Sequence, residues 1–108
     1  MTARIIIRHG GPDREHYWQG EDELLVVAIE RAFRRRLTKG QSVYFASTAV
    51  PPSERSFGTI IIAPTTFVSF SYMEYDGTGE IPLLDKVEEL VERDGGITLD
   101  INDELVTD

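Results

Sequence analysis

The chain has no cysteine. Disulfide staples, a thiolate nucleophile and a cysteine-ligated zinc site are therefore excluded, and the absence fits a reducing compartment. Histidine is nearly as scarce. His9 and His16 are the only two, so no later residue supplies an imidazole. Long apolar runs are missing too. The N-terminal MTARIIIRHGG holds three consecutive isoleucines before the next charge. That is too few for the hydrophobic stretch of a secretory signal, and no segment approaches the length of a bilayer span. A soluble cytoplasmic protein is the expectation. No serine sits in a G-x-S-x-G elbow, and the G-x-G of Gly77 and Gly79 has no helix after it at the spacing a phosphate loop needs. There is no internal repeat, low-complexity tract or interdomain linker. Cations are rare in one half only. Residues 57–108 carry two Lys or Arg against twelve Asp or Glu, and residues 1–56 carry nine against seven, for a net charge of −8. Such asymmetry marks either a surface that meets a partner or two halves whose charges mix in one folded body.

What is present suffices for one domain. The 108 residues, 41% hydrophobic and 28% charged, can bury a single modest core and argue against wholesale disorder. The most apolar stretch is Phe57 to Tyr75, with two β-prone runs, Gly58–Ala63 and Phe67–Met73, around Pro64-Thr65-Thr66. It predicts a β-hairpin at the heart of a small sheet, as scaffold and not as a ligand site. Ala3–Arg8 reads as an interior strand, stopped by His9-Gly10-Gly11-Pro12-Asp13. A loop follows over Arg14–Gly20, in which Tyr17 and Trp18 fold back on the core. Glu21 to Leu37 reads as a helix capped by Asp22 and stopped by Gly40, with Leu25, Ala28, Ile29, Ala32, Phe33 and Leu37 along one stripe and Leu24, Val26 and Val27 widening it. Gln41–Ser47 is a strand and Ala49–Ser56, with its paired prolines, a loop. After a second loop around Gly77 and Gly79, Pro82 opens a second helix lined by Leu83, Leu84, Val87, Leu90 and Val91 and ended by Gly95-Gly96. Ile97, Leu99 and Ile101 alternate in a closing strand, and Asn102–Asp108 is an acidic tail expected to fray. The predicted order is β-α-β-β-β-α-β. This is a two-layer α+β fold, with a mixed or mainly antiparallel sheet of about five strands and both helices on one face.

Three constellations are candidates for function. Arg31, Arg34 and Arg35 share a helical face at i, i+3, i+4, and Lys39 follows them. This cluster suits the phosphates of a nucleic acid. It equally suits the negative end of the helix dipole, or a match with the acidic second helix. The acidic set includes Glu74 and Asp76 at the exit of the hairpin and Glu88, Glu89 and Glu92 on the second helix. It is either a solvated face or a docking surface for a basic partner, where charge complementarity speeds and orients association. His9 and His16, with Asp13 and Glu15, have the ligand types of a divalent metal site but no HxxxH or HxH spacing.

Two likenesses to known families rest on particular residues. Arg8-His9-Gly10 at a strand end resembles the signature of the histidine phosphatase family, which implies a phospho-accepting His9 with Arg8 holding the phosphate. Gly11 stands where that family has Glu or Gln, and the second catalytic histidine far downstream is missing. The runs Leu37–Phe45 (LTKGQSVYF), Gly58–Tyr72 (GTIIIAPTTFVSFSY) and Leu84–Leu99 (LDKVEELVERDGGITL) together resemble in layout a group of small actinobacterial domains of unknown function. That likeness implies a small bacterial or bacteriophage accessory protein and brings no activity with it. The leading expectation is a non-enzymatic interaction domain, without cofactor or metal, that binds a protein partner through its acidic C-terminal half. An immunity or inhibitor protein is one version, and self-association through a sheet edge is another. Nucleic-acid binding through Arg31–Lys39 is the alternative, and a phosphatase-like or metal enzyme centred on His9 stands behind it.

Overall fold

Three β-branched residues in succession gain most when sheet neighbours and a helix cover them. In the computed structural model, which describes residues 2–9, 15–47 and 58–107, they form the middle of a sheet. The elements run β1 (Ala3–Arg8), β2 (Glu15–Gly20), α1 (Glu23–Leu37), β3 (Val43–Ser47), β4 (Thr59–Ile62), β5 (Phe67–Tyr72), α2 (Leu84–Asp94) and β6 (Gly96–Leu99). Two three-stranded sheets result, ordered β2-β1-β5 and β4-β3-β6. Every pairing is antiparallel except that of β3 with β6. Helix α1 lies against β1, β3 and β5, and α2 lies against α1 and β6. The fold is α+β in two layers, as the sequence implies; among the described residues it has two helices, and its six strands form two sheets in place of one of about five. Among the described residues no helix is long and apolar enough to cross a membrane.

Three segments differ from the sequence reading. The stretch expected as a loop before α1 contributes β2, which pairs with β1 along its whole length, Ile5 opposite Trp18 and Ile7 opposite His16. Trp18 and Gly20 are thereby buried. A side-chain Cβ at position 20 would run into the Trp18 ring, so glycine there is what lets the indole lie flat over the strand. The expected hairpin is not one. Strand β4 pairs with β3 and strand β5 with β1, and the turn at 63–66 carries the chain from one sheet to the other. That turn is closed by Thr66, whose N–H donates to the Ala63 carbonyl at 2.9 Å and whose hydroxyl accepts from the Ala63 N–H at 3.1 Å. It lacks the Gly or Asn that tight two-residue hairpins use to match strand twist. Finally, residues 102–107, expected to fray, fold back. Leu105 bridges Leu99, and the Val106 N–H donates to the Thr98 carbonyl at 2.9 Å. Asp103 takes a left-handed backbone (φ 59°) and accepts from the Trp18 indole. Burial pushes the Asp103 carboxyl above its ordinary range, and the indole bond opposes this. Ile101, expected inside the closing strand, is exposed beyond its end. The expected turn after His9 and the loop Ala49–Ser56 fall on residues 10–14 and 48–57, outside the described residues, as do Phe57 and Asp108.

One core serves both sheets. Trp18 of the first sheet meets Phe45 of the second edge-on at 5.7 Å between ring centroids, and Phe45 meets Phe33 of α1 at 6.4 Å. Helix α1 begins where its sequence says. Asp22 caps it, its Oδ1 accepting from the Leu25 N–H at 3.1 Å. The run from Leu25 to Ile29 is buried on every face because two sheets and a helix surround it, while Leu24 points to solvent. Helix α2 stops at Gly95 in the left-handed region (φ 87°). A Cβ at Gly96 would collide with the Tyr44 carbonyl, so the parallel approach of β6 to β3 needs glycine there.

Phe45 is fully buried at the junction of both sheets and α1. Phe45→Ala is expected to cost about 3–5 kcal/mol in chemical denaturation, against under about 0.5 kcal/mol for the exposed Thr65→Ala. Equal denaturation midpoints for the two variants would remove Phe45 from the centre of the fold.

Candidate functional site

A carboxylate in the first turn of a helix is favoured by the helix dipole. Glu23 does more than sit there. Its side chain is buried and accepts from three consecutive backbone N–H groups at the exit of β5, those of Met73 at 2.5 Å, Glu74 at 3.1 Å and Tyr75 at 3.1 Å. Burial pushes the carboxyl up, but the three N–H donors outweigh it and hold Glu23 below its ordinary value. Two tyrosines extend the seam along α1. The Tyr72 hydroxyl donates to Glu30 at 2.6 Å, and burial together with that carboxylate drives its pKa far upward. Tyr75 packs edge-on against Tyr72 at 5.5 Å, and its hydroxyl accepts from Arg31 at 2.9 Å.

This seam fixes where the first predicted acids point. Glu74, with its N–H tied to Glu23, is exposed, and together with Glu21, Asp22 and Leu24 it borders a cleft of about 360 Å³. Asp76 lies just beyond. Its carboxylate is turned back on Thr78, accepting from the hydroxyl at 2.6 Å and the N–H at 2.9 Å, and those two bonds hold its pKa low. The other predicted acids lie elsewhere. Glu88 pairs with Arg35 at 2.7 Å and Glu89 with Lys86 at 3.4 Å, while Glu92 is exposed and adds to the field that raises the Arg35 pKa after Glu88 itself. Arg35 is twelve residues along α1 from Glu23, roughly 18 Å at the helical rise. The acidic set is thus two groups at two places along α1, one at the exit of β5, where Asp76 is bound to Thr78, and one on α2 that is partly neutralised.

The basic cluster is drawn into the same contacts. Arg31 holds Tyr75, Arg34 pairs with Glu30, and Arg35 holds Glu88, while Lys39 is exposed past the end of the helix. Arg36 donates to the Ser42 carbonyl at 2.9 Å. At the other end of the first sheet, the His9 and His16 rings stand edge-on at 5.4 Å, and Glu15 is paired with Arg8 at 2.7 Å. Among the described residues no three His, Asp or Glu side chains gather where a metal would need them. Asp13 lies outside the described residues.

The sequence reading missed Glu23 and its neighbours Glu21, Asp22 and Leu24 as parts of a site. Their position in the first helical turn was the signal available, and it points only to the dipole.

A carboxylate held below its ordinary pKa stabilises the fold above about pH 4.5 and loses that contribution as pH falls through the lower folded value. Glu23→Gln keeps the shape but removes the charge and one acceptor oxygen. The difference in denaturation midpoint between wild type and Glu23→Gln is expected to be large at pH 7 and to shrink below about pH 4. A difference independent of pH would show that the charge does not hold this seam.

Comparison of the chain with models of known protein families, with curated proteins and with solved structures finds no significant match.

Proposed function

We propose that this chain is a non-enzymatic binding module that docks a basic protein partner on the cleft between the start of α1 and the exit of β5. The observation that carries this reading is the Glu23 seam. By tying three consecutive N–H groups to α1 it holds Glu74 beside Glu21 and Asp22 on fixed backbone. A surface ordered before the partner arrives loses less entropy on binding. Three exposed carboxylates around Leu24, itself 38% exposed, suit a lysine or arginine whose apolar stem lies on the leucine and whose charge meets the acids. Asp76, two residues past Glu74, adds negative charge nearby although its carboxylate is bound to Thr78. Glu88 and Glu89 contribute less, because Arg35 and Lys86 already oppose them. A bacterial or bacteriophage accessory protein of the immunity or inhibitor kind is the specific form of this reading.

Nucleic-acid binding through Arg31, Arg34, Arg35 and Lys39 has less behind it. The three arginines each hold a partner, and the carboxylates of Glu88 and Glu92 stand close enough to Arg35 to repel phosphate.

The tests separate the two acidic groups. The protein, immobilised, is expected to retain a cationic protein from its host extract at low salt and to release it as salt rises. Glu74→Lys/Asp76→Lys should abolish that retention and Glu89→Lys/Glu92→Lys should not. Retention unaffected by Glu74→Lys/Asp76→Lys overturns the assignment of this cleft. In an electrophoretic shift at low salt, micromolar protein is expected to leave single- and double-stranded DNA unshifted. A shift abolished by Arg31→Glu/Arg35→Glu would favour the nucleic-acid reading instead.

A further inference from the structure

The four sheet edges are not protected alike. The outer side of β6 is covered by the returning C-terminal segment, through Leu105 and the Val106 N–H. Strand β4 is four residues long and runs into Pro64. Strand β2 begins with Glu15 and His16. Strand β5 has none of these guards. It is six residues long (FVSFSY), without charge, proline or bulge, and among the described residues no strand pairs with its outer side. Such an edge is a template for another strand unless something covers it.

The side chains beside this edge are also unfinished. Val68, Phe70 and Tyr72 turn to the same side as Ile7, Ile5 and Ala3, their partners on β1. The three β1 residues are at most 1% exposed, yet Val68, Phe70 and Tyr72 are only half-buried. Val68 and Phe70 line a groove of about 500 Å³ that Phe33, Arg34 and Leu37 of α1 close on the far side. On the opposite side of the strand Phe67 is 52% exposed, and just past its end Met73 is 77% exposed.

We propose that β5 pairs antiparallel with β5 of a second copy about a two-fold axis through Phe70, making one six-stranded sheet from two three-stranded ones. A two-fold perpendicular to the sheet keeps each face on its own side, so only some registers are allowed. With Phe70 opposite the partner's Phe70, Val68 faces the partner's Tyr72, Ser69 faces the partner's Ser71, and Phe67 faces the partner's Met73. The half-buried row then covers itself. The two exposed residues Phe67 and Met73 meet as an aromatic–thioether pair. The next allowed register sets Phe67 against Ser71 and leaves Met73 uncovered. Charge agrees with this choice of partner. Each copy carries −8, but the seam from Phe67 to Met73 carries none. The groove rim holds Glu30 and Arg34, which pair with each other within one copy, so the rim adds no net charge to the seam either. Seven residues a side is small against the roughly 20–30 of a standard interface, so dissociation in the micromolar range is expected. The contact uses none of the carboxylates of the proposed partner cleft, and salt should affect it little.

Sedimentation equilibrium over about 1–500 μM tests it. The wild type is expected to pass from monomer to dimer across this range, at low and high salt alike. Ser69→Lys/Ser71→Lys sets lysines opposite each other twice across the axis and should raise the dissociation constant roughly tenfold or more. Ser69→Lys/Ser71→Glu sets lysine opposite the partner's glutamate twice and should dimerise at least as well as wild type. A wild type that stays monomeric throughout overturns the proposal. So does equal dimerisation of wild type and the double-lysine variant, which would place the contact elsewhere, or a monomeric Ser69→Lys/Ser71→Glu, which would exclude this register. Circular dichroism of both variants, matching wild type, confirms that the sheets are intact.

Discussion

Among the described residues no backbone ladder joins the two sheets, and the rest of the structure depends on how that gap is closed. The described strands of each sheet pair within that sheet. Side-chain packing must hold them together. It does so through Trp18, Phe45 and Phe33, one ring from each sheet and one from α1, stacked edge-to-face. Edge-to-face rings gain from their opposed quadrupoles as well as from burial, which suits a joint where two sheets and a helix meet. The indole that starts this chain is itself held at both ends. Gly20 leaves room for the ring, and Asp103 of the returning C-terminus takes its N–H.

Helix α1 is the common wall, and its charges are used inwardly before they face outward. At its start Glu23 reaches across to three N–H groups of the β5 exit, and further along Glu30 takes the Tyr72 hydroxyl. Near its end Arg35 takes Glu88 from α2. A net charge of −8 suggests a uniformly acidic surface, but this arrangement sorts the carboxylates. Some are structural, some are neutralised, and a small group around the start of α1 is exposed. That sorting is why Glu74 gains weight in the functional reading while Glu88 loses it.

Much of the fold was legible where a residue's neighbours are close in sequence. The stripe of α1 with its Asp22 cap, the apolar side of α2 with its Gly95 stop, and the interior strand at the three isoleucines each follow from local spacing. The errors share one cause. Strand β2 was hidden because EHYWQG alternates about a single large apolar residue, Trp18, and its pairing partner is what makes the alternation count. The hairpin was read from two adjacent β-prone runs, although Pro64-Thr65-Thr66 lacks the residues of a tight hairpin turn. Each run found a longer ladder in a different sheet. In the C-terminal tail the acids masked Leu105, whose bridge to Leu99 depends on β6 being in place.

The same boundary separates what the sequence by itself determined from what only the tertiary structure decided. Composition excluded thiol chemistry, and periodicity set the helices, most of the strands and the α+β class, because these depend on residues a few positions apart. Glu23 and the N–H groups of residues 73–75 are about fifty positions apart, as are Arg35 and Glu88, and no periodicity registers such meetings. Whether a carboxylate is a buried acceptor, half of an ion pair or an open charge is therefore decided only when the chain folds. The same holds for an edge strand, since FVSFSY reads identically whether it lies at the centre of a sheet or at its uncovered margin.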